Sequence, residues 1–419
     1  MVKRKLTEGN NFSTAKRVWL SLLAALIILS IGFSICIAAG AIGYRVNTDI
    51  ALAYPKIEYA SQLIPEIDTD GSYYFTSDSS FKILQITDVH IGGGFMTLQK
   101  DGWAINAVAT MISVEKPDLV ILTGDIAYPV GIQTGSFNNL NQLKMVAQMM
   151  EKLGVYWTMI FGNHDAEEVS THTKQDLCDY LTGSDFKYCL FQEGPTDIDG
   201  KGNHCIKVKN NLGLVTHTLY MLDSHSYREE GGYDNVKQNQ VDWYGDKVDQ
   251  IIEENGLLLD TLDPSILPSD ISPFTNPNSL LFLHIPLREY EIAWEIYSSS
   301  GNTSDVNYIY GGMKGPMKPV NCGEGEDDLF ETALSLGSTT GIFCGHDHLN
   351  NFQISYKGIR LTYGMSIDYT AFTGIHRQGS QRGCTIIRCQ NNGTWASENS
   401  NFYQAKYDSP ARTEKVIFN

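Results

Sequence analysis

Apolar and polar positions divide the chain into three regimes. Residues 18–44 read VWLSLLAALIILSIGFSICIAAGAIGY, an uncharged apolar run bounded by Arg17 and Arg45. A run of that length can span a bilayer with some tilt. Residues 45–80 are mostly polar and hold no sustained period, so they read as a tether or an irregular lead-in. From Phe81 onward, short apolar runs alternate with helix-like stretches. FKILQIT (81–87), DLVILTG (118–124), VYWTMIFG (155–162), HTLYMLD (217–223), SLLFLHI (279–285) and GIFCGHDH (341–348) read as buried strands. Helical spacing recurs over 104–115, 140–153, 235–254 and 327–336. After residue 350, FQISY (352–356), IRLTYG (359–364) and CTIIRCQ (384–390) read as antiparallel strands. Residues 132–141, 258–278 and 300–326 read as loops. The alternation predicts βαβ units around a parallel sheet.

Composition adds direction. The 419 residues carry a net charge of -17, from 31 Lys+Arg and 48 Asp+Glu. Lys3, Arg4, Lys5, Lys16 and Arg17 against Glu8 make residues 1–17 a +4 tail, which leaves -21 for the rest. The basic flank puts the tail in the cytoplasm and the bulk of the chain outside it. The favoured reading is a single-pass signal anchor over 18–44, bedded in a lipid bilayer. The other reading is a cleaved signal peptide and a secreted product, since Ala39-Gly40-Ala41 resembles a cleavage site. The acidity argues against a nucleic-acid partner. Outside the apolar run lie seven cysteines with no CxxC spacing, so a thiolate zinc site is not expected. An export route permits disulfides, with Cys178, Cys189 and Cys205 as candidates.

Five of the strands end in polar clusters. These are Asp88-Val89-His90, Gly124-Asp125, Gly162-Asn163-His164-Asp165, His284 and Gly345-His346-Asp347-His348. Residues two apart on an extended segment share a face, so Asp88 with His90, and His346 with His348, converge. Each cluster alone reads as an ordinary turn or a core histidine. Together, at the carboxyl ends of strands where α/β sheets bind ligands, they read as a metal site.

The order DxH, GD, GNH, H, GHxH resembles the calcineurin-like metallophosphoesterases, whose fold is a four-layer αββα sandwich. FKILQITDVHIG, FGNHDAE, LHIPLREY and GHDHLNNFQISYKGIRLTYG are similar to the small purple-acid-phosphatase-like branch. The resemblance implies one domain over 81–419. It implies one metal on Asp88, His90 and His348, a second on Asn163, His284 and His346, and Asp125 bridging both. His164 would reach the substrate phosphate. Asp165 is a candidate to orient it, with a turn residue as the other reading.

Carboxylate, imidazole and amide ligands suit two divalent or mixed-valence transition metal ions, with Fe, Mn or Zn as candidates. Two such ions lower the pKa of a bridging water, and the hydroxide attacks phosphorus. The expected activity is hydrolysis of a phosphate mono- or diester on a small or lipid-headgroup substrate. A catalytically inactive metal-binding or receptor domain is the alternative. Purple acid phosphatases proper use the Tyr of GDxxY as an iron ligand and carry DxG instead of DxH. Tyr128 has that spacing here, but His90 is present, so Tyr128 is expected not to ligate. Met365 stands where the branch often has Arg. Asp223, Ser224, His225, Tyr227, Arg288 and Glu289 are further candidates near the cleft. His172, His204, His217 and His376 have no motif context, and Trp243 and Tyr244 read as core.

Overall fold

The structure is a computed structural model and describes residues 14–183, 185–313, 320–372, 375, 382–401 and 407. His376 and the basic residues Lys3, Arg4 and Lys5 lie outside the described residues.

Two sheets form the centre. The smaller has five strands in the order β14 (Trp395–Asn401), β13 (Gly383–Cys389), β3 (Phe81–Ile86), β4 (Leu119–Thr123) and β5 (Trp157–Ile160). β3, β4 and β5 run parallel, and β13 and β14 add antiparallel strands on the other edge. The larger sheet has nine strands. Its order is β1 (Glu66–Ile67), β2 (Tyr73–Thr76), β6 (His204–Lys209), β7 (Val215–Met221), β8 (Asn278–Phe282), β10 (Thr339–Cys344), β12 (Ile359–Tyr363), β11 (Gln353–Tyr356) and β9 (Val306–Tyr310). β7, β8, β10 and β12 are parallel, so their carboxyl ends point one way.

The two-residue period of the strands separates two cores. In the β8 segment, Leu280 and Phe282 join the core between the sheets, while Leu281 and Leu283 join the core under the outer helices. Phe343 and Ile342 in β10 divide in the same way. Strands apolar on both faces must be covered on both faces. α2 (Leu98–Glu115) covers the small sheet, with α4 (Asn139–Leu153) and α5 (Lys174–Gly183) beside it. α6 (Gln238–Thr261), α8 (Arg288–Ser300) and α9 (Leu329–Leu336) cover the large one, and the one-turn helices α3 (Gly131–Thr134) and α7 (Ser272–Thr275) lie in the connections. The result is the four-layer αββα sandwich.

The lead-in expected as a tether differs from that reading. α1 (Thr14–Ala53) is one 40-residue helix. Its apolar stretch is long and apolar enough to cross a membrane, and the rest of the chain leaves that stretch uncovered. Its last turns pack on α2 and α4, with Asn47 and Ala51 fully buried. Residues 54–80 then cross the far side of the small sheet and enter the large one, where β2 pairs in parallel with β6. Apolar residues that the polar sequence hid make this possible, since Ile57 and Phe75 are buried in the core around the small sheet. β9 likewise lies inside a stretch expected to be loop. Cys178, Cys189 and Cys205, expected as disulfide candidates, form no disulfide.

Lys207 shows why the lead-in stays attached. Its side chain is fully buried in β6, and its ammonium lies 2.9 Å from Asp68, 3.4 Å from Asp70 and 3.0 Å from Glu254 of α6. Burial works against ionisation of Asp70, but hydrogen bonds from Ser72 and the Lys207 charge hold its carboxyl below the usual range. Asp68 is lowered too, against burial, by Lys209 and Lys207. A depressed folded pKa gives stability that is present above the unfolded value of 3.8 and lost as pH falls below it. Lys207→Met removes the one cation that all three acids share, while Lys209 stays with Asp68 and Lys247 with Asp70, so it should destabilise the chain by about 1–3 kcal/mol at neutral pH. Urea unfolding of the detergent-solubilised chain, repeated at acid pH, should show this difference shrinking below pH 4.

Candidate metal centre

The polar strand ends meet at the seam between the sheets. Asp88 and His90 follow β3, Asp125 follows β4, and Asn163 and His164 follow β5 in the small sheet. His284 follows β8, and His346 and His348 follow β10 in the large sheet. The His346 N–H lies 3.2 Å from both carboxylate oxygens of Asp88, which ties one sheet to the other. The Asp88 N–H donates to Gly124 O (3.1 Å) and the His90 N–H to Asp125 O (3.0 Å).

These turns are strained. Asp88 (φ 51°), His90 (51°), Asp125 (54°) and His346 (74°) all hold left-handed backbone. For residues with a Cβ this costs about 1–2 kcal/mol each. Such outliers cluster where function overrides local preference. Close packing supports them, because a methyl group at Gly162 would overlap Asp125 Oδ1, and one at Gly345 would overlap Thr87 Oγ1.

The geometry sorts the side chains into two groups. Asp88, His90, Asp125 and His348 offer ligand atoms within 4.8 Å of one another, and so do Asp125, His284 and His346. Asp125 belongs to both. Its Oδ2 lies 3.3 Å from His90 Nε2 and 3.1 Å from His284 Nε2. Its Oδ1 accepts the His164 N–H at 2.8 Å. The buried atoms here without a hydrogen-bond partner include these four: His90 Nε2, His284 Nε2, Asp125 Oδ2 and Asn163 Oδ1. Buried polar atoms left unpaired cost about 1–3 kcal/mol each. Bound cations would engage all four, and the nitrogen and oxygen donor set fits transition metals.

The supporting shell fixes how the ligand atoms face. His284 Nδ1 donates to Thr123 O at 2.8 Å, which leaves Nε2 directed at Asp125. Asp368, which no sequence pattern singled out, faces Nδ1 of both His90 (3.7 Å) and His348 (3.1 Å). Burial opposes its charge, but His90 and His348 hold its carboxyl well below the usual range. The amides of Thr370 and Ala371 each donate to it at 2.7 Å. Asp347, between the two histidines, turns away to accept Tyr363 O–H at 2.6 Å and the Asn321 amide at 3.1 Å.

His164 and Asp165 depart from the expected pairing. His164 Nδ1 contacts Glu167 Oε1 at 2.5 Å, so Glu167 is the residue that holds the imidazole. Burial opposes protonation of His164, but Asp125 and Glu167 together raise its pKa. Asp165 instead accepts the amides of Asp125 (3.0 Å), Gly162 (2.8 Å) and Ala127 (2.8 Å). It therefore shapes the Asp125 turn. Burial, followed by the Asp125 charge, pushes its own pKa up to about 6.

Tyr128 donates its hydroxyl to Gln133 at 3.1 Å and turns its ring against His90 and His164. Of the cleft candidates, Tyr227 reaches the centre, where its hydroxyl accepts Asn163 Nδ2 at 2.7 Å. Tyr233 presents its ring to His346 at 4.3 Å between centroids. Asp223 is committed to Lys174 at 2.8 Å, Ser224 accepts the Ile285 N–H, and His225 meets Gln240. Arg288 and Glu289 open α8. His204 and His217 are buried packing residues, as is Tyr244.

The family described as calcineurin-like phosphoesterase matches residues 81–350, which hold every strand end of this centre except that leading to Asp368. The chain belongs to that family. It is therefore of a class of phosphoric ester hydrolases that work with two metal ions. It is 27% identical to "Probable inactive purple acid phosphatase 14" of Arabidopsis thaliana over 75% of this chain and 77% of the relative. It is 28% identical to "Probable inactive purple acid phosphatase 28" of the same plant, over 71% and 73%. "Phosphatase DCR2" of Saccharomyces cerevisiae is 28% identical over 66% of this chain and 45% of its own length.

Replacing Asp165 with Asn sets an amide N–H₂ against backbone donors and loosens the Asp125 turn. Asp165→Asn should lower metal affinity about 10- to 100-fold with the fold retained. Metal titration followed by elemental analysis checks it.

Proposed function

We propose that this chain hydrolyses phosphate mono- or diesters, from a small or lipid-headgroup substrate, outside the cytoplasm at a membrane. Residues 1–17 would be a cytoplasmic tail and 18–44 a signal anchor, with the catalytic unit outside. Asp88, His90 and His348 would hold one metal ion, and Asn163, His284 and His346 the other, with Asp125 common to both. Iron, manganese and zinc suit these donors. The observation that carries this reading is the unpaired Oδ2 of Asp125, set between His90 and His284. When bound, such a pair of ions supplies Lewis acidity at phosphoryl oxygen and an acidified water.

The chain's own residues do the rest. The His164 N–H occupies Asp125 Oδ1 and so leaves Oδ2 for the centre. Glu167 takes the Nδ1 side of His164, which frees Nε2 to donate to a phosphoryl oxygen or to the leaving group. Tyr227 orients Asn163 by accepting from its nitrogen, so the amide oxygen faces the centre. The names of the two plant relatives call those proteins inactive. The same reading here, a domain that binds without turnover, would leave the His164–Glu167 pair without a task.

The test is turnover of p-nitrophenyl phosphate and its bis ester by the full chain supplied with Mn, Fe or Zn. Hydrolysis is expected, and no turnover with any of these metals overturns the reading. His164→Ala should lower kcat about 10²- to 10⁴-fold while metal content stays the same. Asp125→Asn should lower both.

A further inference from the structure

The direction in which α1 leaves the domain bears on what the centre meets. Residue by residue, α1 tracks down the small-sheet side of the sandwich. Gly40 lies against Gly135 O and Gly43 against Gly94 O, in the loops that follow β4 and β3. Asn47 donates to Asp101 at 3.4 Å, Tyr54 to Asn106 at 2.8 Å, and the Ile57 N–H to Leu153 O at 2.9 Å. The helix thus passes from the pole that carries the metal centre toward the opposite pole. Followed toward its N-terminus, it projects beyond the centre's pole. Residues 18–38 are exposed throughout, and at 1.5 Å per residue they extend about 30 Å, the thickness of a hydrocarbon core.

The loops at that pole expose large apolar side chains beside the polar Gln99, Gln133 and Glu168. Phe95, Met96 and Leu98 follow β3, Ile132 and Phe137 follow β4, and Val169 follows β5. All six are exposed, Ile132 at 88%. They form one shelf with the anchor. A methyl group at Gly135 would meet the Phe95 ring and Met96, one at Gly131 would meet Phe137, and the Thr171 N–H donates to Phe137 O. Asp101 clasps the shelf's base, since it accepts the amides of Gly92 and Gly93 at 2.9 Å each. The same loops begin at Asp88, His90, Asp125, Asn163 and His164.

We infer that the bilayer surface lies against this shelf, so that the metal centre opens toward the membrane and takes phosphoester headgroups of bilayer lipids. Placing 18–38 in hydrocarbon sets the interface near Gly40, level with Gly94 and Gly135. Six exposed apolar side chains there have the interfacial boundary as a partner. The chain's charge of -17 means that this approach depends on apolar contact, not on attraction of basic residues to anionic lipid. The inference rests on the anchored phosphoesterase reading given above and narrows its substrate.

The full chain in phosphatidylcholine vesicles provides the test. A fluorophore attached at Ile132→Cys, in a Cys36→Ser background, should be quenched by nitroxide-bearing lipids. One at Leu257→Cys, exposed near the end of α6 at the opposite pole, should not. Equal quenching at the two positions overturns the inference while leaving the anchor intact. A chain that alkaline carbonate strips from the vesicles overturns the anchor, and the inference with it. The second arm measures turnover with Phe95, Ile132 and Val169 each changed to Glu together. This variant should hydrolyse soluble p-nitrophenyl esters as the parent does. It should lose about 10-fold on phosphatidic acid and on hexadecyl p-nitrophenyl phosphate carried in the vesicles. Equal effects on soluble and vesicle-borne esters, or parent turnover of soluble esters alone, overturn the inference.

Discussion

The centre depends on Asp125, the one carboxylate that both side-chain groups share. It ends a strand of the small sheet, yet its Oδ2 meets His284 from the large sheet as closely as His90 from its own. To hold that position the residue accepts a left-handed backbone, which glycine would tolerate more cheaply. Three amides donated to Asp165 and one donated to Asp125 Oδ1 keep the turn from relaxing. Burial removes the alternative of solvation. The two sheets, the Gly162 approach and the His346–Asp88 contact all act to keep a charge where an isolated charge would be costly.

The sequence pointed to this cluster of residues because parallel strands covered on both faces are continuous apolar runs. A polar cluster that closes such a run stands out. The supporting residues lacked that contrast. Asp368 lies in irregular chain after β12, and Glu167 in a loop, where acidic residues are ordinary. Their role comes from where the chain folds back, since Asp368 reaches His90 across 278 positions. Adjacency misled in the case of Asp165. The turn that exposes His164 carries the next side chain under the Asp125 loop, and the same turn brings Glu167, three residues on, back to the imidazole. β6 was hidden for a related reason. HCIKVK looks half polar, but Lys207 is neutralised by three acids that sequence distance conceals.

The charge of the centre also changes with Asp368 in place. Two divalent ions against Asp88 and Asp125 alone would leave about two positive charges. Counting Asp368, which faces both His90 and His348, lowers that to about one. On the proposed reading, a centre so balanced within an acidic chain would suit substrates of modest negative charge. Headgroup phosphates in a largely zwitterionic surface would meet that condition better than polyanions, which the field of the whole chain would repel.

The lead-in before Phe81 ties the apolar helix to the fold mechanically. The Lys116 ammonium donates to Glu58 O, Tyr59 to Pro117 O, and Gln62 to Gly154 O, all at the pole away from the centre. β2 then joins the large sheet beside β6, with the short β1 outside it, and Lys207 locks it there. A flexible tether would let the domain take any orientation relative to a membrane. A continuous helix gripped along residues 40–54, and strapped again at 57–76, allows few. If the apolar run is an anchor, as proposed, rigidity of the lead-in, more than length of the run, would convert it into an orientation for the centre.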